Sequence, residues 1–138
     1  MPRFDLDPRL AADSLPVADL DLATVRLMSD SRFPWLLVIP QRPDLVDLID
    51  LAPAEQVALM AELDRVARAL KAETGCPKLN VAALGNMVPQ LHVHVIARFP
   101  EDAAWPGPVW GVGTAEPYAP EVAQALASRL AARLVDAG

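Results

Sequence analysis

The segment QLHVHVI, residues 90–96, alternates polar and apolar side chains, and this pattern constrains the fold more than any other feature of the chain. A period of two is typical of a β-strand, because successive side chains point to opposite faces of the sheet. The polar face holds Gln90, His92 and His94, and the apolar face holds Leu91, Val93 and Val95. We therefore expect helices against the apolar face and a groove along the polar one, where neighbouring side chains lie about 6 to 7 Å apart.

Three further segments have the character of strands. Residues 20–29, LDLATVRLMS, alternate with the same period, and residues 35–39, WLLVI, form an apolar run that Pro40 ends. Residues 78–84, KLNVAAL, and 91–99, LHVHVIARF, are joined by GNMVPQ, where Gly85 and Asn86 favour a turn. The short connections predict two antiparallel hairpins.

Two segments have the period of a helix. Pro53 and Glu55 suit a first helical turn, and Leu59, Leu63, Val66 and Leu70 follow on one face before TGCP ends the helix. A second helix begins at Pro120, with apolar residues spaced by four. The order of elements predicts an α+β fold: an antiparallel sheet of about five strands, one long helix packed on it, and a C-terminal helix.

The chain of 138 residues fits a single domain. Within it we expect an N-terminal arm over residues 1–19, a core over 20–100, a loop rich in tryptophan and proline over 100–117, and the C-terminal helix over 119–137. The loop contains Trp105 and Trp110, which are costly to expose, so it is expected to act as a flap or a subunit contact.

Charge and composition exclude several classes of function. The net charge of -6 disfavours binding to long nucleic acid, which needs many phosphate-neutralising cations, but leaves a small phosphorylated ligand open. The single cysteine, Cys76, fits a reducing compartment. The N-terminus lacks the apolar core of a secretory signal, and no apolar run approaches the roughly 20 residues of a membrane span. A cytoplasmic protein with no membrane partner is expected.

His92 and His94 are the only histidines of the chain. Beside valines they can be half-buried residues with no function, but an in-register pair on a polar face favours chemistry. Imidazole can act as nucleophile, proton donor or metal ligand. A metal site needs a third protein ligand, and no Cys, Asp or Glu stands at a motif spacing to the pair. No GxSxG segment supports a serine hydrolase. We expect no metal and no cofactor.

QLHVHVI resembles the His-φ-His-φ-His-φ-φ signature of the histidine triad superfamily of nucleotide hydrolases and transferases. The resemblance covers roughly residues 20–100 and needs no gap, so Gln90 takes the first histidine position, His92 the middle one and His94 the last. It implies that His92 attacks the α-phosphate of a nucleotide conjugate and that His94 helps the leaving group depart. A small nucleotide substrate and a homodimer are also implied.

The resemblance further implies a set of substrate contacts. Asn80 and the segment Gly85, Asn86, Met87 and Val88 correspond to the phosphate-binding positions, and Phe33 and Trp35 to the nucleoside wall. Met87 stands where the family often has Ser or Thr and cannot donate to a phosphate. Gln90 can take the hydrogen-bonding role of the first histidine. Arg98, just beyond the motif, can contact a phosphate, but a solvated arginine at the end of a strand is the favoured interpretation. The alternatives are a noncatalytic nucleotide-binding module and a metal-binding protein that uses the HxH pair.

Overall fold

The computed structural model describes residues 3–137 and contains one five-stranded antiparallel sheet. In chain order the elements are α1 Pro8–Ala12, β1 Ser14–Asp19, β2 Ala23–Met28, β3 Trp35–Pro40, α2 Pro53–Thr74, β4 Lys78–Ala82, β5 Val93–Arg98 and α3 Pro120–Ala137. The strands lie in the order β1-β2-β3-β5-β4, and every neighbouring pair is antiparallel. The predicted α+β fold is confirmed.

The two faces of the sheet bury different sets of side chains. On one face Val93 and Val95 pack with Leu59, Val66 and Leu130 from α2 and α3. The helix α2 has the predicted apolar stripe, and it ends at Gly75, whose φ of 70° is in the left-handed region that glycine adopts without steric cost. The alternation in the histidine segment therefore places its valines under the helices and frees the other face for the site.

The two long helices, α2 and α3, pack on the valine face of the sheet and leave the histidine face to other segments. A second cluster there contains Leu10, Trp35, Leu37, Ile96 and Val109. Two of these residues come from outside the central strands, one from the N-terminal segment and one from the loop after β5. The histidine face is thus closed by the short helix α1 and by the loop after β5, and a cavity lies between them and the sheet.

The N-terminal segment contains a strand that the sequence did not predict. The helix α1 begins after Asp7, whose side chain accepts a hydrogen bond from the backbone N–H of Arg9, and β1 then pairs along β2. The strand was not recognised because it contains Pro16, which removes a donor and lies beside an irregularity in the pairing. Proline is tolerated there because β1 is at the edge of the sheet. It supplies the fifth strand.

The hairpin that carries the histidines is shorter than predicted. Its strands end at Ala82 and begin at Val93, so Gln90 and His92 precede β5 instead of lying within it. Leu91 donates its backbone N–H to the carbonyl of Leu45, outside the sheet, and Pro89 has no N–H to donate. His94 remains in the ladder, opposite Leu37 on one side and Ala82 on the other.

Asp102 organises the loop over residues 100–117. Its carboxylate accepts hydrogen bonds from the backbone N–H groups of Phe99, Ala104 and Trp105 and from the guanidinium of Arg98. These bonds, above all those from the Arg98 guanidinium, hold the pKa of Asp102 well below its ordinary value. The loop is therefore fixed against the end of β5. Among residues 3–137, no helix combines the length and hydropathy needed to cross a bilayer.

Candidate active site

A cavity of about 380 Å³ lies beside the two histidines. Its walls come from the N-terminal segment, the ends of β2 and β3, the segment before β5, and the loop after it. The lining residues are Leu10, Asp13, Met28, Trp35, Leu84, Gly85, Asn86, Met87, Val88, His92, His94 and Trp110. Most of this lining is apolar, so a polar group placed there meets few competing donors apart from the histidines.

His92 is held in one orientation by the backbone. Its Nδ1 lies 2.7 Å from the carbonyl oxygen of Gln90. A carbonyl oxygen only accepts, so Nδ1 carries a proton and donates it. In the neutral ring the lone pair is then on Nε2. His92 lines the cavity and is 7% exposed, so it faces a space that a small ligand can enter while being largely shielded from bulk water.

His94 has the opposite arrangement. The indole N–H of Trp35 donates to Nδ1 of His94 over 3.0 Å, and an indole nitrogen has no lone pair with which to accept. Nδ1 is therefore the acceptor and Nε2 carries the ring proton. Burial, reinforced by the charge of His92, lowers the pKa of His94 to about 4. At neutral pH His94 is an uncharged ring that offers one N–H donor.

The two imidazoles and two indoles form one aromatic cluster. The ring centroids of His92 and His94 are 4.9 Å apart, closer than the separation predicted for same-face neighbours on a strand. Trp110 meets His94 edge-on at 5.0 Å and Trp35 at 5.8 Å. Such edge contacts fix ring orientation. A single small substrate can therefore reach both histidines.

The side-chain amide of Gln90 is hydrogen-bonded to the N-terminal segment. Its Oε1 accepts from the backbone N–H of Asp7 and its Nε2 donates to the carbonyl of Asp5, both over 2.8 Å. The predicted role, in which the Gln90 amide orients its neighbours as the first histidine does, is not supported by this placement. The Gln90 group that orients His92 is the backbone carbonyl, which any residue supplies.

The predicted phosphate-binding segment does reach the cavity. Gly85, Asn86, Met87 and Val88 all line it, with Met87 85% exposed at the surface. Gly85 has a φ of 76°, so the turn needs a residue without a Cβ at that point. The role of this segment in holding a phosphate remains a prediction.

Asn80 and Phe33 do not line this cavity. The carboxamide oxygen of Asn80 accepts from Arg98 over 2.7 Å. Phe33 is fully buried, with the guanidinium groups of Arg32 and Arg98 at 5.0 and 5.8 Å from its ring. A phosphate ligand and a nucleoside wall both need access, so neither placement supports the predicted role. The prediction of a solvated Arg98 was also wrong, since Arg98 is 1% exposed.

Several residues at the site were not identified from the sequence. Leu10, Asp13 and Met28 line the cavity, together with Trp110, whose loop the sequence predicted to be a flap or a subunit contact. A neighbouring cavity of about 340 Å³ shares Asp13, Met28, Trp35 and Trp110, and it extends to Asp30 and Arg32. The two tryptophans of the loop were a usable signal, because exposed indoles need a partner surface. The N-terminal residues gave none.

The charged side chains that line the two cavities are carboxylates, or are cations already paired with a carboxylate. Asp13 is the one charged side chain among the described residues that line the first cavity. In the second, the guanidinium of Arg32 bonds both oxygens of Asp30 and the carbonyl of Val112. Bonds from Arg32 and neighbouring backbone lower the pKa of Asp30 despite its burial. Neither cavity offers a cation free to meet a chain of phosphates.

A metal ion finds few ligands beside the pair. Within the described part of the chain, no three His, Cys, Asp or Glu side chains converge in a way that could hold one. One ring nitrogen of each histidine is already hydrogen-bonded, Nδ1 of His92 to the carbonyl of Gln90 and Nδ1 of His94 to the indole of Trp35. The metal-binding alternative therefore lacks a third protein ligand in residues 3–137.

Replacing Trp35 with Phe tests the state of His94. Protonating Nδ1 breaks the bond from the indole, so we expect the midpoint of the His94 titration, near 4 in the native protein, to rise in Trp35→Phe. Because the folded-state pKa is below the ordinary value of about 6.5, this group makes stability fall as the pH drops from about 6.5 towards 4. NMR of the imidazole nitrogens measures both the tautomer and the midpoint.

Trp105→Phe is the matched control, since Trp105 lies against Arg98 and away from the cavity. It should leave the His94 signals in place. An Nδ1–H tautomer of His94 in the native protein would contradict the assignment.

Comparison with known proteins gives consistent matches. The HIT domain family model matches residues 9–101. A crystal structure of a histidine triad protein from Bradyrhizobium japonicum is 49% identical, with 96% of this chain and 99% of that chain covered and a TM-score of 0.94. A histidine triad protein from Sinorhizobium meliloti 1021 is 47% identical, with 98% and 97% covered and a TM-score of 0.90.

A third solved structure, a histidine triad protein from Marinobacter aquaeolei VT8, is 38% identical, with 99% of this chain and 100% of that chain covered and a TM-score of 0.93. A search of curated proteins finds no significant match. Each of the three matches covers nearly the whole of both chains. The likeness therefore includes the N-terminal segment and the loop after β5 as well as the central strands.

Proposed function

Because the chain belongs to the histidine triad family, whose members are generally nucleotide-binding hydrolases and transferases, we propose that it cleaves nucleotide conjugates at the α-phosphate. The reaction passes through a covalent intermediate in which the nucleotide is bonded to His92. The observation that carries the proposal is the bond from His92 Nδ1 to the Gln90 carbonyl, which leaves the lone pair of the neutral ring on Nε2 of a side chain that lines the cavity.

The geometry assigns each nitrogen a task in the first step. Nε2 of His92 forms a bond to phosphorus as the bond to the leaving group breaks. The ring gains positive charge, which the Gln90 carbonyl stabilises through Nδ1–H. The Nε2–H of His94 donates a hydrogen bond to an oxygen of the phosphate or to the leaving group, where negative charge develops.

His94 supplies a hydrogen bond and not a proton. Its ring is neutral at working pH, and losing the Nε2 proton would leave a buried imidazolate. An amine leaving group therefore takes its proton from solvent. In the second step water attacks phosphorus and loses one proton to solvent, the bond to His92 breaks, and the neutral ring is restored. Two displacements replace one difficult hydrolysis.

The electrostatics of the cavities favour a phosphoramidate over a polyphosphate substrate. A dinucleoside polyphosphate brings several negative charges, whereas a nucleoside phosphoramidate brings one at phosphorus and releases an amine. Asp13 in the first cavity and the neutralised Arg32 in the second disfavour added negative charge. An amine beside Asp13 is attracted instead. We propose that the nucleoside occupies the joined cavities, against the ring of Trp110.

A substrate panel tests this choice. We expect nucleoside phosphoramidates to be turned over at least about tenfold faster, by kcat/KM, than dinucleoside polyphosphates, because about 1.4 kcal/mol of electrostatic difference gives that ratio. Steady-state kinetics with both classes at equal ionic strength measures it. Faster turnover of the polyphosphates would contradict the substrate class. Calorimetric binding of AMP or GMP without turnover of any conjugate would favour the noncatalytic module.

The homodimer implied by the resemblance remains a prediction, and we propose the β4 side of the sheet as its interface. In the part of the chain that the structure describes, β4 pairs with β5 alone. Apolar side chains are exposed beside this edge, among them Leu48, Met60, Val81 and Leu84, which are 46%, 67%, 53% and 48% exposed. Such a surface is typical of an interface between subunits. Sedimentation equilibrium measures the mass.

A further inference from the structure

The carboxamide of Gln90 forms two hydrogen bonds to the backbone of the N-terminal segment, in the way that a peptide group of a neighbouring strand does. It accepts from the N–H of Asp7 and donates to the carbonyl of Asp5, each over 2.8 Å. The partners are more than eighty residues away in sequence. We call residues 5–10 the N-terminal wall. One planar group therefore ties this wall to the chain two residues before His92.

The N-terminal wall closes the histidine side of the sheet. Leu10 is 4% exposed and packs in the cluster of Trp35 and Ile96, with Leu6 partly buried against it. Leu10 also lines the cavity. Because the long helices pack on the opposite face, no other regular element of the described chain covers this one. Through Leu10 the wall therefore forms part of the same cavity that His92 lines.

A second tie lies on the same wall. The guanidinium of Arg9 donates to the carbonyl of Met87 and binds both carboxylate oxygens of Asp7. Hydrogen bonds from Arg9, and to a lesser degree the charge of His92, lower the pKa of Asp7, which keeps this carboxylate ionised beside the histidine. The wall is thus tied to the chain before His92 at two points, Met87 and Gln90.

We propose that Gln90 is a positioning residue that holds the N-terminal wall against the reaction site, and that it acts through this wall instead of exchanging protons with His92. The carboxamide suits the task because its donor and acceptor project side by side, in the spacing of a peptide group. An imidazole carries its donor and acceptor on nitrogens that diverge, so it cannot bond Asp5 and Asp7 in the same way. Restoring histidine at position 90 is then harmful. The kinetic consequence rests on the proposed function, but the structural one does not.

Amide hydrogen exchange of the native protein and of Gln90→His tests the structural claim. In Gln90→His the amide of Asp7 should exchange about tenfold faster or more, as expected for the loss of two hydrogen bonds. Gln90→Glu keeps an acceptor for the Asp7 N–H and loses only the donor to Asp5, so it should speed Asp7 exchange less than Gln90→His does. Gln124→Ala, an exposed glutamine of α3, is the matched control and should leave Asp7 protected.

Kinetics separates the positioning role from a purely structural one. In Gln90→His we expect kcat/KM for a nucleoside phosphoramidate to fall, mainly through a rise in KM, with kcat close to the native value. Unchanged protection of Asp7 overturns the proposal, and so does a Gln90→His enzyme at least as active as the native one. If the native protein turns over no nucleotide conjugate, the proposed function fails while the exchange measurement still decides the role of Gln90.

Discussion

His92→Ala is expected to lower kcat for a nucleoside phosphoramidate by about a thousandfold or more, the scale seen when a catalytic nucleophile is removed. The reason is the single lone pair that the site presents to the cavity, on Nε2 of His92. His94 cannot replace it, because its Nε2 carries a proton and its Nδ1 accepts from Trp35. Steady-state and single-turnover rates of the two proteins measure the loss.

His94→Asn is the informative companion to this variant. An asparagine amide keeps a donor in place of the Nε2–H, so we expect a smaller loss, on the order of tenfold to a hundredfold. Both variants should bind AMP as the native protein does. Equal losses in the two variants would show that His94 takes part in bond-making, and a His92→Ala enzyme within tenfold of the native rate would remove His92 from the chemistry.

Arg98→Met is expected to lower the free energy of unfolding by about 3 to 5 kcal/mol, the cost of breaking one side of a buried ion pair. The side chains of Arg98 and Asp102 are 2% and 4% exposed, and Arg98 also donates to Asn80 and to the carbonyl of Gly107. Methionine fills similar volume, so the lost pair dominates the effect. Urea unfolding followed by circular dichroism measures it.

Arg68→Met is the matched control. Arg68 and Asp64 form an ion pair with the same i, i+4 spacing, but their side chains are 78% and 57% exposed, so we expect a loss of about 0.5 kcal/mol or less. Since the pKa of Asp102 is lowered in the folded protein, its contribution is present above its ordinary pKa of about 3.9 and is lost as the pH falls below that value.

The outcome for Arg98→Met also decides between two roles. A structural Arg98 predicts low stability with normal substrate affinity when folded at reduced temperature. Unchanged stability with weakened nucleotide binding would instead make Arg98 and Asn80 phosphate ligands, as the resemblance implies for Asn80.

The strand pattern predicted the sheet, and it predicted which side chains lie on the same face, because both depend on local spacing along the chain. Val93 and Val95 pack against the helices, and because side chains alternate along a strand, His94 lies on the other face. The segment Gly85 to Val88 reached the cavity for a related reason, since a short connection to β5 cannot go far. Local sequence therefore predicted the position of the histidines and of the turn beside them.

The hydrogen-bond partners of the histidines could not be predicted in this way. Trp35 meets His94 across fifty-nine positions, and Asp7 meets Gln90 across eighty-three. Such pairs depend on the order of the strands and on the path of the N-terminal segment. Strand β1 of this segment was not predicted, because it contains Pro16 and is irregular there. Arg98 was misjudged because its partner, Asp102, lies in a loop whose sequence indicates only proline and tryptophan content.

The most direct test of the account is the site of the covalent intermediate. Native protein is mixed rapidly with a nucleoside phosphoramidate, quenched at high pH, where a phosphorus–imidazole bond persists, digested, and mapped by mass spectrometry. The account predicts one added nucleoside monophosphate on the peptide that contains His92, localised to that ring and missing in His92→Ala. Turnover with no adduct on any peptide, or an adduct on His94 instead, would contradict it.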